Sequence, residues 1–279
     1  NITDGLVGHW KFDEGEGITA YDASGNDNHG TLINGPSWVD GKVGGALEFD
    51  GVDNYVNVGV IPSVDFSESF TIGAWVNLNK FGDARSSCNN KRANIVRIGS
   101  NPSGVVEFGT ILGDYFWATI RTTTSWLEIS TPGTTNQWVH LNLISDNDKT
   151  NNQYKLFING EMKAQGSYSD VASNMGIINI GGTTPNCTYG YIDGIIDDVR
   201  IYNRALSPEE IQDLYNYEYS SKYAIWQNPV TKNISLKSIE DETKEVSTGA
   251  PEVALDFDGS GDYVDCGNDE SLDFGSGDF

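Results

Sequence analysis

Tyr154-Lys155-Leu156-Phe157-Ile158-Asn159-Gly160 is a run of β-forming residues that ends on a turn dipeptide. Asn and Gly both tolerate positive φ, which a two-residue hairpin turn requires at both central positions. An antiparallel hairpin is predicted here, and the same grammar extends in both directions. Upstream, the runs of β-formers are Leu6 to Phe12, Ala46 to Phe49, Tyr55 to Val58, Phe70 to Leu78, Asn94 to Ile98, Val105 to Phe108, Phe116 to Arg121, Leu127 to Ser130 and Trp138 to Ile144. Downstream come Ile177 to Ile180 and Ile195 to Tyr202, with Gly, Asn, Asp or Ser in nearly every gap. About a dozen strands with almost no helix between them imply an all-β fold, read here as a β-sandwich of two antiparallel sheets.

One helix is expected. Ser207 can act as N-cap, Pro208 suits the first helical position, and Glu210 stands three residues after the cap. Ile211, Leu214 and Tyr215 then share one face, so the helix can dock on the sandwich and close the domain.

Composition narrows the partners. The 279 residues hold 17 Lys and Arg against 40 Asp and Glu, a formal charge of −23. Such a chain repels phosphate backbones and anionic head groups, so nucleic acid is a poor partner. No run of about 18 apolar residues occurs, so no helical membrane insertion is expected. The chain opens Asn1-Ile2-Thr3-Asp4 with no leader-like segment and is expected to be a fragment or mature segment. An acidic, Gly- and Asn-rich, Lys-poor β protein suits an extracellular or cell-surface setting.

A repeat organises the chain. Ala46-Leu47-Glu48-Phe49-Asp50-Gly51 returns as Ala254-Leu255-Asp256-Phe257-Asp258-Gly259, an offset of 208 that also links Asp65-Phe66 to Asp273-Phe274. Residues 1–219 are therefore read as one β-sandwich domain, 220–252 as a polar linker, and 253–279 as the truncated start of a second tandem copy. That piece is too short for a core of its own and should be loosely held or borrow an edge. Within the linker, Ile225-Trp226 and Ile234 to Ile239 could form short strands around a charged centre, Lys237 to Glu245.

Residues 5–217 resemble the LamG-like (laminin G-like) jelly-roll domains of the concanavalin A-like lectin/glucanase superfamily. The resemblance rests on Gly5 to Gly15, Asp22 to Leu32, Ala46 to Gly51, Phe70 to Val76, Gln137-Trp138-Val139-His140, Phe157 to Gly160 and Gly194 to Ser207, in that order. It implies a jelly-roll sandwich and a recognition role, and says nothing of Phe81 to Arg92 or the aromatic Leu112 to Trp126.

Strict alternation along Ile195 to Tyr202 places Asp197 with Ile195, Val199 and Ile201. A carboxylate at a buried edge needs a cation or several N–H donors. Related glucanases carry a similar Asp that binds structural calcium, so the resemblance implies a calcium role for Asp197. Asp22, Asn26 and Asn28 could supply further oxygen ligands. Alternatively, Asp22 and Asn26 form Asx-turns and Asp197 caps a loop. Asp50 to Asn54 is read first as a hairpin turn.

Catalysis finds little footing. Glycosidases of this fold use alternating carboxylates on a strand, whereas Glu240-Asp241-Glu242 are adjacent and lie in the linker. His9, His29 and His140 are the only histidines, no nucleophile elbow exists, and His140 reads as a framework residue. Binding remains, since sugars are held by aromatic faces and hydroxyl-bonding polar groups. Trp10, Trp75 and Trp138 lie in framework motifs and read as packing residues. Tyr115, Trp117 and Trp126 form the best candidate platform, although some of them could pack inward, and Tyr189 is a further candidate. Cys88 and Cys187, both in polar loops, could form a disulfide if their Cα atoms approach within about 7 Å. Otherwise they are free thiols, and Cys266 is left over. Asn186-Cys187-Thr188 also matches a glycosylation sequon. The expectation is a non-catalytic, calcium-supported module that binds a glycan or cell-surface protein. An accessory domain of a polysaccharide-degrading enzyme and an adhesin spacer are the alternatives.

Overall fold

The computed structural model describes residues 2–82, 92–99, 105–121, 126–147, 152–168, 176–182, 190–227 and 234–238. The chain divides into two compact units, Asn1–Tyr215 and Asn216–Phe279.

The first unit contains β1 (Leu6–Trp10), β2 (Thr19–Ala20), β3 (Gly30–Ile33), β4 (Ser37–Asp40), β5 (Gly45–Asp50), β6 (Tyr55–Gly59), β7 (Phe70–Leu78) and β8 (Arg92–Ile98). It continues through β9 (Val105–Ile111), β10 (Tyr115–Arg121), β11 (Trp126–Pro132), β12 (Trp138–Asp146), β13 (Asn152–Ile158), β14 (Glu161–Tyr168), β15 (Ile178–Ile180) and β16 (Asp193–Tyr202). One sheet runs β14-β13-β12-β7-β16-β5-β4, with β1 also paired to β16. The other runs β11-β10-β9-β8-β15-β6-β3-β2. Every pairing is antiparallel. This is the sandwich of two antiparallel sheets that the runs of β-formers predict, in the jelly-roll form that the family resemblance implies.

Side chains from both sheets fill the space between them. Trp10, Phe12, Phe49, Phe70, Phe108, Phe116 and Tyr154 are among the largest fully buried ones. Each contributes roughly 1.5–3 kcal/mol by leaving water, which is why the inward positions dictate the register. The hairpin joining β13 to β14 turns at Asn159 and Gly160, with φ of 51° and 80°. β14 itself is polar and sits at a sheet edge, so it lacks the apolar alternation that marks interior strands.

β16 departs from strict alternation. Opposite β7, Asp197 faces Trp75 and Arg200 faces Gly73, so two residues, Asp198 and Val199, oppose one. Asp198 has φ of 48° at this bulge. The extra residue resets the pleat: Ile196, Val199 and Ile201 join the core, and Asp197 does not share their face. On its other edge β16 pairs with β5 before the bulge and with β1 after it. Asp197 therefore sits at a gap in the ladder.

Helix α1 (Pro208–Lys222) is longer than the sequence pattern suggests. The Ser207 hydroxyl accepts the Glu210 N–H at 3.2 Å, and the Glu210 carboxylate accepts the Ser207 N–H at 3.0 Å. Both halves of the capping box are thus formed. Arg204 grips the two Glu210 oxygens at 2.7 Å each. Ile211 and Leu214 pack with Ile144, Phe157, Tyr202 and Leu206 in a second apolar cluster. In the second unit, β17 (Tyr223–Gln227) pairs antiparallel with β18 (Ile234–Ser238) inside the stretch read as a polar linker. Residues 253–279, read as the start of a second repeat, lie outside the described residues. No described helix is long and apolar enough to cross a membrane.

Candidate functional site

β10 carries the aromatic residues singled out in the sequence. Phe116, Ala118 and Ile120 point into the core, which sends Tyr115, Trp117 and Thr119 to the opposite face of their sheet. Trp117 is nonetheless 0% exposed, because the Arg92 guanidinium lies 4.0 Å above its ring. This corrects the expectation for Trp117: its ring packs under a cation and offers no open face for a sugar. Arg92 is in turn held by Glu128 and lies 3.7 Å from Glu107, while Arg97 binds Glu107 at 3.2 Å. The two carboxylates flank Thr119 in register on neighbouring strands.

Tyr115, two positions earlier on β10, is 42% exposed. At the same end of β10, a cleft of about 390 Å³ is lined by Phe81, Asp114, Gly133, Thr134, Thr135, Asn136 and Gln137. The β9–β10 turn and the β11–β12 connection form its walls. Backbone bonds set them in place: Gly133 N–H donates to the Asp114 carbonyl and Asn136 N–H to the Leu78 carbonyl, both at 2.8 Å. Asp114 and Asn136 adopt φ of 65° and 58°, a left-handed conformation that Asp and Asn tolerate better than most side chains. Sequence reasoning passed over Thr134 to Asn136, whose trace is a polar run between two strands, and read Gln137 only as part of a framework motif. Further along the same sheet, Tyr55 and Tyr191 meet with ring centroids 6.3 Å apart.

Asp197 is fully buried and faces the turn between β4 and β5. Its Oδ2 accepts the Val43 N–H at 3.0 Å, and its buried Oδ1 has no hydrogen-bond partner. Burial, with help from Asp198 and Asp13 and against the bonds from the Val43 and Lys42 amides, pushes its pKa up to about 8. A hard cation would remove that penalty. Asp197 and Asp13, with the carbonyls of the turn, fit such an ion by donor type, although the described residues contain no cluster of three or more His, Cys, Asp or Glu able to hold a metal.

The loop from Asp22 to Asn28 has other employment. Asp22 accepts bonds from the amides of His9, Ser24 and Asn28 at 2.8, 2.9 and 3.0 Å, and from the Ser24 hydroxyl at 2.8 Å. Burial raises its pKa, but these bonds outweigh it and hold the carboxyl below its ordinary value. Asn26 and Asn28 donate to the Leu6 and Val7 carbonyls at 3.2 and 2.7 Å, stitching the loop to β1. Asp22, Asn26 and Asn28, expected as metal ligands, thus make the hydrogen bonds that close their own loop and tie it to β1.

On the outer face of the first sheet, Trp75 stacks on His140 at 5.0 Å and on Tyr215 at 5.7 Å. His140 is buried; desolvation lowers its pKa to about 3, with Asp198 raising it and Arg200 lowering it further. It is neutral near pH 7, a framework residue. His9 bonds Asp198, and Arg200 pairs with Asp198 at 2.7 Å. Trp10 lies in the core and donates to the Asn28 carbonyl at 2.9 Å. Cys88, Cys187, Tyr189 and the side chain of Trp126 lie outside the described residues.

Comparison with known proteins agrees with this architecture. A laminin G-type family model described as "Concanavalin A-like lectin/glucanases superfamily" matches residues 50–212. The chain belongs to that superfamily, in its LamG-like branch. Domain 4 of an extracellular arabinanase from Geobacillus stearothermophilus, solved with arabinotriose, is 21% identical with a TM-score of 0.58, over 75% of this chain and 98% of that one. The binding domain of paraclostridial mosquitocidal protein 1 is 17% identical with a TM-score of 0.66, over 94% and 70%. The binding domain of botulinum neurotoxin serotype G is 19% identical with a TM-score of 0.58, over 78% and 52%. At these identities the likeness is one of fold. A comparison with curated protein sequences finds no match.

Proposed function

We propose that this chain is a non-catalytic recognition module that binds carbohydrate through the rim of its second sheet. It would act in the extracellular space or at a cell surface, within a multi-domain protein that carries a tandem copy of the same domain. The observation that carries the reading is a cleft walled by hydroxyls, carboxamides and one carboxylate, which begins at Asp114, the residue before the exposed Tyr115. An aromatic face packs against the apolar patches of a sugar, and polar neighbours bond its hydroxyls. Arabinotriose in the arabinanase domain supports a glycan over a cell-surface protein as ligand, and favours accessory work beside a polysaccharide-degrading domain as the second reading. Structural calcium, if bound, would sit at Asp197 with Asp13, remote in role from the sugar.

The test is a glycan microarray paired with a reducing-sugar assay. Binding to an oligosaccharide class without release of sugar, weakened about tenfold or more by Tyr115→Ala, is expected, since anchor residues dominate such sites. Turnover by this chain, or silence across the array, would remove the reading.

A further inference from the structure

The carbohydrate reading leaves open which sugars fit, and the charges around the cleft bear on that choice. Thr134, Thr135, Asn136 and Gln137 supply neutral groups that both donate and accept, and the one charge on the lining is the Asp114 carboxylate. Among the described residues, the cations nearby are engaged elsewhere. Lys80, the residue before Phe81, binds Asp193 at 2.9 Å. Arg92 is held by Glu128, and Arg97 divides its donors between Glu107 at 3.2 Å and the Gly99 carbonyl at 2.8 Å. A sialic acid or uronate entering the cleft would meet Asp114 with no described cation to offset it, on a chain whose formal charge is −23. Specificity is a difference between affinities, and a like charge placed against the wrong ligand creates one.

Volume gives a second constraint. At about 390 Å³ the cleft stands near the lower end for small-molecule sites. It has room for the end of a glycan chain, with the rest left outside the cleft. Its walls are held by the two backbone bonds from Gly133 and Asn136, so little ordering accompanies binding.

Resting on the carbohydrate reading, we infer that the rim cleft receives the uncharged end of a neutral oligosaccharide and excludes sugars that carry a carboxylate. The cleft thereby acts as a charge filter whose selective element is Asp114. Because the exclusion is electrostatic, it weakens as salt screens the exposed charge.

The experiment uses the whole chain on a microarray of neutral oligosaccharides printed beside their sialylated and uronic-acid-terminated counterparts, read at low and high ionic strength. The wild type should bind neutral chain ends and show about tenfold or weaker binding to the acidic counterparts at low salt, with the gap narrowing at high salt. Asp114→Asn should shrink the gap, and Thr134→Lys should close or reverse it. Thr134 is an exposed position, so the lysine can be accommodated without disturbing the core. Equal or stronger wild-type binding to acidic glycans overturns the inference. So does neutral binding with a selectivity that neither variant moves, which would leave the module a lectin with its site elsewhere. No sugar binding at all removes the inference together with the carbohydrate reading.

Discussion

A single carboxylate shows how far burial can bend the chemistry of a residue. Asp197 titrates near 8 in the fold against an ordinary 3.8, chiefly because burial disfavours its charge. A folded-state pKa above the unfolded one means that the native state holds the proton longer. Its contribution is fully present below about pH 4 and is lost as pH rises towards 8. Melts without calcium should therefore show Tm falling across that window, with Asp197→Asn flattening the slope. If calcium binds, it should raise Tm most at the alkaline end, where the carboxylate is ionised, through the linkage of ligand to the folded state. A chelator-insensitive melt at pH 8 would dismiss the ion. Trp117 makes the complementary point. It stands on the outward face of β10, as alternation requires, yet its ring is covered by Arg92 from β8.

At the scale of elements, bulge and cap matter most. The bulge at Asp198 lets β16 pair with β5 along one stretch and β1 along the next, and it turns Asp197 away from the core face. Period-two counting across that point reaches the wrong face, because one added residue inverts every later side chain. Alternation also passes over β14, β4 and β2, which lie at or near sheet edges and have less to bury. The capping box was legible from Ser207 and Glu210 alone, since both partners are local. Ser207→Ala should cost about 1 kcal/mol of stability, read as a lowered denaturation midpoint. No loss would mean that the Arg204–Glu210 pair holds the helix start unaided.

For the whole molecule, the division at Tyr215 and Asn216 makes the sandwich a body with its own core. A chain ended after Lys222, which keeps α1 whole, should retain the melting transition and glycan binding of the full chain. Loss of either would show that residues 223–279 complete the first domain rather than begin another. Length, the charge of −23 and the repeat at an offset of 208 were all legible without coordinates, as was the superfamily.

The sequence by itself determined most of the core strands, their antiparallel pairing through tight turns, the helix cap and the acidic character of the chain. Each of these follows from neighbours in the chain or from a sum over it. Only the tertiary structure decided which outward-facing groups remain open. Tyr115 stays accessible and Trp117 does not, and Asp22 spends its oxygens on its own loop while Asp197 keeps one unpartnered. The cleft from Phe81 to Gln137 likewise joins segments far apart in the chain. Exposure and charge pairing depend on distances between remote residues, and those distances come into being when the two sheets close on a common core.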